Sequence, residues 1–423
     1  MFLASKINFF FDTKKHYLFL IYFLLLPFGG VYLIYSSFIL LLAVLSLSDP
    51  NKNILNNCYF YLFFLIWAPM ALSLFDAINI DRSFIKTIGV LPFLFIGLYI
   101  SSNLTIKKIY NLMLLLVVAS MVWAIDFYIY HFRILELEKA ILWRWSFPIP
   151  IGGHFNGDPV IYSIPILGQV LSVLLPIILE ALRKFSNSKN KFSISIILLM
   201  IIISTILLSG NRNAVIMMIM SFSIWFIYVG VVCRYFKNYL KSTISVIVLV
   251  CMLFSALLIN NSSRISSLLN IESTELSHID SLSSHRLPLW EVAYKMAKDH
   301  WVNGIGPRGF RYGYNIYKPD EGKYKFLYED GSTHPHFALL EVFLETGIIG
   351  FFSLFFLFWI IFKSILKVNH DNQLILVPWF IALITAIVPN IGKAFYSSYW
   401  LTFILFILIG CASIINFDTK NQH

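Results

Sequence analysis

Charge is what this sequence has least of. Only 13% of its 423 residues are charged, against 58% hydrophobic and 17% aromatic. Soluble domains carry about 25% charged residues, so a chain this poor in charge, with its apolar residues in long runs, is not a water-soluble globule. Cysteine is scarce as well. Cys58, Cys233, Cys251 and Cys411 all fall in or beside apolar runs, which excludes a disulfide framework and a zinc-ligand pattern. No internal repeat or low-complexity tract is visible. Lys6, Lys14 and Lys15 precede the first apolar run, and no small-residue cleavage site follows it. That run reads as a retained span rather than a removed signal peptide. The formal charge of +10 would suit nucleic acid, but the basic residues come in short bursts between apolar runs. That pattern belongs to membrane topology or to an anionic lipid-linked substrate; membrane lipids are expected partners and nucleic acid is not.

What is present is a series of apolar stretches, each near the roughly 20 residues a helix needs to span a bilayer. About twelve can be counted, from 17–30 and 31–48 through 57–75, 84–101, 107–126, 160–181, 192–209, 213–232 and 242–260 to 337–362, 372–389 and 395–415. The first two form one apolar stretch, broken at Pro27-Phe28-Gly29-Gly30 into two short spans. With the N-terminus inside, sixteen Lys and Arg fall on inner segments and four (Arg82, Lys86, Arg212, Lys393) on short outer loops. This asymmetry places both ends in the cytoplasm and requires an even number of spans. The expected fold is an all-α polytopic membrane protein of about twelve transmembrane helices with a large, partly helical outer loop. Residues 1–260 hold spans one to nine and an outer segment at 127–159, 261–336 form the large loop, and 337–423 hold the last three spans and an inner tail.

A structureless loop of this length is uncommon unless it is functional. Within it, SLSSHRLPLWEVAYKMAKDHW (281–301) predicts an amphipathic helix with serines at its start and Leu287, Trp290, Tyr294 and Ala297 along one face. NGIGPRGFRYGY (303–314) follows as a glycine-rich turn region.

Chemistry-bearing residues gather at the outer face. Arg212, in LLSGNRNAVIMM, sits at the junction of two spans. It is either a snorkelling or ion-paired arginine or an anion anchor at a helix start, where free N–H groups and the dipole assist it. Arg286 falls in the first turn of the predicted loop helix, where a cation is unfavourable without an anionic partner. Two guanidiniums on one face suit a diphosphate, since each can donate paired hydrogen bonds to phosphate oxygens. His334 and His336 flank Pro335. Without a third ligand at the usual spacing they are expected to hold no metal. With Pro335 at the first helical position, His336 would stand in the opening turn of the next span. It is either a satisfied interfacial histidine or a base, its ordinary pKa of about 6.5 suiting it to take a proton from a hydroxyl. Glu341 and Glu345 follow one turn apart on one face; they could orient a site residue or neutralise a buried arginine, the latter being the default. Gly347 and Gly350 read as permitting close helix packing. Arg308 in the turn region, and Asp158 with Arg133, Arg144 and His154 in the 127–159 segment, are supporting candidates.

Taken together, LSGNRNAV, SHRLPLWEVAYKMAKDHWVNGIGPRGF and HPHFALLEVFLETGIIG resemble the O-antigen ligase and polymerase superfamily of bacterial envelopes, over about residues 155–390. The most diagnostic piece is His336 followed by Gly347-Ile348-Ile349-Gly350; Gly304, Gly306 and Phe310 support it. The resemblance implies a GT-C type inner-membrane glycosyltransferase acting at the periplasmic face without metal, nucleotide or other cofactor. Its donor would be undecaprenyl-pyrophosphate-linked O-antigen and its acceptor the lipid A–core oligosaccharide. Arg212 and Arg286 would hold the pyrophosphate and His336 would activate the acceptor hydroxyl, with His334 a helper or bystander. Phe337 stands where the family usually has a small polar residue, which bears on ligase against polymerase. The alternatives are an O-antigen polymerase using the same donor, a protein O-glycosyltransferase, and a polysaccharide or lipid transporter. A transporter would show internal repeats and midplane charges.

Overall fold

The computed structural model describes residues 57–131, 164–186, 188–232, 280, 286–319, 332–391, 395–396 and 399–414. The expected spans at 17–30, 31–48 and 242–260 lie outside the described residues, as do Arg133, Arg144, His154 and Asp158. The helices, in chain order, are α1 (Cys58–Leu72), α2 (Ile80–Val90), α3 (Leu94–Asn103), α4 (Ile106–His131), α5 (Ile164–Phe185) and α6 (Lys189–Leu208). After them come α7 (Arg212–Ile227), α8 (Leu287–Asp299), α9 (Gly309–Tyr317), α10 (Ala338–Leu366), α11 (His370–Ile387) and α12 (Tyr399–Ala412). Among the described residues there is no strand, and seven helical stretches are long and apolar enough to cross a membrane. The protein is a multi-pass helical membrane protein.

The expected spans and the helices agree closely where both can be read. The main difference is at 84–101, where helix begins at Ile80 because Asn79 caps it, its side chain accepting from the Arg82 N–H at 3.1 Å. The cap carries Lys86, counted from the sequence as an outer-loop residue, into the first turns of α2.

The helices fall in two compact units. In one, α5 packs against α4, α6 and α7 and buries Leu171, Leu174, Leu175 and Ile178. Ser172 Oγ donates to the Gly168 and Ala214 carbonyls, each at 2.7 Å, and a β-carbon at Gly168 would overlap Ser209 and crowd Ala214. Small residues thus bring α5 and α7 close, the packing available where lipid is as apolar as the side chains. Gly210, at φ 67°, turns the chain from α6 into α7, and the Asn211 side chain caps α7 by accepting from Asn213 N–H (2.9 Å) and Ala214 N–H (3.4 Å).

The other unit contains α1–α3, α8–α10 and α12. Here α10 lies along α1, tied by Ser353 Oγ donating to the Leu65 carbonyl at 2.6 Å. Against the N-terminal half of α10 sits a small apolar core of Leu289, Val292, Met296, Ile305, Phe310 and Tyr314, with Leu344 from α10 itself. This core docks the loop elements α8 and α9 onto a membrane helix.

Candidate active site

The segment Ser332–Phe337 leads into α10 without being part of it. Helix begins at Ala338 with Phe337 as its cap residue, so His336 stands two residues before the helix rather than in its opening turn. Its backbone is left-handed, at φ 55°. A non-glycine residue there stores on the order of 1–3 kcal/mol unless the surroundings hold it, although histidine tolerates the region better than branched residues do. The surroundings hold it from both sides. Trp290 Nε1 donates to the Pro335 carbonyl at 3.1 Å, and the Ala338 N–H donates to the Asn390 carbonyl at 2.9 Å. The His334 and His336 rings stack at 4.0 Å between centroids with a 46° tilt, while His334 Nδ1 pairs with Thr333 Oγ1 at 2.7 Å. Both imidazoles are half-buried. Among the described residues no third histidine, cysteine or carboxylate joins the pair.

Helix α8 begins at a cation of the same unit, Arg286. Its buried stripe is Leu289, Val292, Ala293 and Met296 with Ala297, and Tyr294 is 70% exposed. The apolar face therefore lies rotated from the expected one. Two overlapping i, i+3/i+4 stripes exist in this segment, and the aliphatic one fills the core. Arg286 is the cap residue of α8, half-buried, and makes no capping hydrogen bond with its side chain. It stands just before the first turn rather than in it. Its carbonyl accepts the Trp290 N–H at 3.0 Å, so Arg286 and the tryptophan that contacts Pro335 share one helical turn.

Beyond α8 the chain threads into a break in α10. Gly347 leaves helical geometry at φ 65°, ψ −167°, a region open essentially to glycine alone. The freed backbone groups bond the loop. Ile348 N–H donates to Trp301 O at 2.9 Å, Ile305 N–H to Leu344 O at 3.0 Å, and Gly306 N–H to Glu345 O at 3.0 Å. A β-carbon on Gly304 or Gly347 would overlap the opposing backbone. The glycines expected only to ease helix packing thus divide their roles. Gly350 lies against Pro69 of α1, and Gly347 opens the helix to receive the loop.

Glu341 and Glu345 are fully buried below this junction. Glu341 accepts the N–H groups of Phe395 (2.6 Å) and Tyr396 (3.3 Å), and Glu345 accepts the N–H of Arg308 (2.7 Å). These carboxylates grip backbone, while Lys86 from α2 and the Arg308 side chain act on them electrostatically. A buried carboxylate is costly unless hydrogen bonds and opposite charge meet it. Glu341 has both, whereas Glu345 has the nearby cations but an Oε1 without a hydrogen-bond partner among the described residues, and Glu341 repels it. Arg308, itself left-handed at φ 66°, is held by the bond its N–H makes to Glu345. The second half of the expected turn region is helical: Phe310, Gly313 and Tyr314 are buried at helix spacing along α9.

Of the residues singled out from the sequence, Arg286, Arg308, His334, His336, Glu341 and Glu345 fall in one unit. Arg212 is the exposed first residue of α7 in the other unit, and Asp158 lies outside the described residues. Sequence reasoning passed over Lys86, Trp290 and Asn390 in this role. Lys86 carried a signal, a cation inside an apolar run, that was used only for topology. The contacts of Trp290 and Asn390 join residues far apart in the chain and left no signal.

No curated protein matches the chain. Residues 197–357 match the family model described as O-antigen ligase. That stretch carries Arg212, Arg286, Arg308, His336, Glu341 and Glu345, and over it the chain is similar to the O-antigen ligase family.

Proposed function

We propose that the protein is an O-antigen ligase. It transfers glycan from undecaprenyl pyrophosphate to the lipid A–core oligosaccharide at the periplasmic face of the inner membrane. The family match and the run of apolar helices support the broader class, a membrane enzyme of O-antigen ligase or polymerase type. One observation carries the finer reading: within the matched segment, His336 is held in a left-handed turn at the mouth of α10, with Trp290 linking its neighbour Pro335 to the turn that bears Arg286.

The acceptor hydroxyl attacks the anomeric carbon of the glycan from the side opposite the pyrophosphate, so the centre inverts. A new glycosidic C–O bond forms as the bond to the pyrophosphate oxygen breaks, and its electron pair leaves with the lipid. His336 takes the hydroxyl proton, worth about two to four powers of ten in rate. Arg286 and Arg212 stabilise the charge growing on the pyrophosphate, the role a metal fills in other transferases. Glu341 and Glu345 keep the scaffold in register.

The test is transfer in vitro from undecaprenyl-pyrophosphate-linked glycan to rough lipopolysaccharide. His336→Ala is expected to lose transfer while still inserting in the membrane and binding the donor. Near-normal transfer by that variant, or loss of wild-type activity with EDTA, overturns the proposed chemistry. Phe337, in place of a small polar residue, favours keeping the polymerase as a second reading. Gene deletion separates the two. A ligase mutant leaves the core bare while polymerised lipid-linked chains accumulate, and a polymerase mutant caps the core with a single repeat unit.

A further inference from the structure

We infer that Trp290 is a positioning residue for His336, coupling the histidine to the helical turn that carries Arg286. The inference rests on the proposed role of His336 as base.

The Pro335 carbonyl and the His336 N–H belong to one peptide plane, and the φ angle of His336 is the rotation of its α-carbon against that plane. Whatever fixes the carbonyl therefore fixes the backbone of His336. Trp290 fixes it, donating its indole N–H at 3.1 Å across 45 residues of sequence. Without that bond the plane is free to flip, which would let His336 relax from φ 55° to an extended backbone and swing its imidazole away. On the far side, the Ala338 N–H bonded to Asn390 O anchors the chain, and Asn390 Nδ2 is itself tied to the Ala386 carbonyl at 3.0 Å. A flip would have to take place between two fixed points, and the Trp290 anchor opposes it directly.

Trp290 is also well placed to couple the two ends of the site. Its own N–H bonds the Arg286 carbonyl at 3.0 Å, and its ring packs against the small apolar core, as Leu340 and Phe343 of α10 also do. Movement of the α8 start is thereby transmitted to the plane before His336. A group that grips the pyrophosphate and a group that accepts the proton must keep a fixed separation through the transition state. A rigid aromatic side chain between them meets that need.

The test is Trp290→Phe, which keeps the aromatic packing and removes the single N–H donor. Loss of one hydrogen bond that orders a reacting group is expected to lower kcat by about tenfold. KM for the donor, and binding of undecaprenyl pyrophosphate alone, should stay within about twofold. Hydrogen exchange of a peptide spanning residues 333–338 should rise in parallel. In the His336→Ala background the substitution should cause no further loss of the residual rate. Unchanged kcat and exchange in Trp290→Phe, or an equal fall in both backgrounds, overturns the positioning role. Failure of the base reading looks different: His336→Ala then keeps its activity, while faster exchange in Trp290→Phe still reports the anchor.

Discussion

Replacing Gly347 by alanine tests the way the loop is seated on the membrane helix. Two costs can be read from the geometry. The backbone at φ 65°, ψ −167° lies where a β-carbon is disfavoured by about 1–3 kcal/mol. The β-carbon would also overlap the carbonyl of Val302 and the backbone of Asn303. Neither is the end of a flexible side chain, so the loop must lift, at about 1–3 kcal/mol more. Together these come to about 2–6 kcal/mol, released most cheaply by giving up the bonds from Ile348 N–H to Trp301 O, Ile305 N–H to Leu344 O and Gly306 N–H to Glu345 O. At 1.4 kcal/mol per decade, even the lower figure raises the open population about thirtyfold. Hydrogen exchange of the purified protein in detergent is the assay, with peptides covering residues 302–308 and 346–350. Gly347→Ala should exchange there at least about thirtyfold faster and melt at lower temperature. The control is Gly89→Ala on α2, where no atom lies within 4 Å of the added carbon and helix propensity favours alanine by about 0.5–1 kcal/mol. If Gly347→Ala shows wild-type exchange and melting, the proposed seating is wrong.

Two further substitutions probe the anchors. Glu341→Ala removes the acceptor of the Phe395 and Tyr396 N–H groups. At about 1–3 kcal/mol for a buried donor left unmet, melting should fall by several degrees, and Glu341→Gln, which keeps a carbonyl acceptor, should recover part of the loss. A Glu341→Ala protein that melts with the wild type contradicts the bracing role. Asn211→Ala removes the cap of α7 and should cost about 1 kcal/mol. Because it loosens the turn carrying Arg212, it should weaken undecaprenyl pyrophosphate binding without abolishing transfer; unchanged binding separates Arg212 from the donor site.

Much of the helical plan was legible because hydropathy and capping are local. Asn57, Asn79, Ser188 and Asn211 each cap a helix with the side chain, and each stands just before an apolar run. The start of α10 was less legible. Pro335 suggested a first helical position, but the chain instead turns left-handed at His336 and begins helix at Ala338. The cause is the pair of bonds to Trp290 and Asn390, both distant in sequence. The α8 face was misjudged for a related reason. Leu287, Trp290 and Tyr294 form as good a stripe on paper as Leu289, Val292 and Met296, and the choice belongs to the Ile305, Phe310 and Tyr314 surface that α8 meets. Residues Glu341 and Glu345 were visible as carboxylates deep in an apolar run, yet their partners are backbone N–H groups, which every residue carries and no composition reveals.

By itself the sequence determined that this chain is a multi-pass helical membrane protein. It did so because burial periodicity and charge scarcity are written residue by residue, and its short motifs singled out Arg212, Arg286 and His336 as candidates. Only the tertiary structure decided that His336 is held in a strained turn, that Gly347 breaks α10 to admit the loop, and that Lys86 and Arg308 attend two buried carboxylates. Those outcomes depend on hydrogen bonds and electrostatic contacts between segments tens to hundreds of residues apart, and such contacts exist only once the helices have packed.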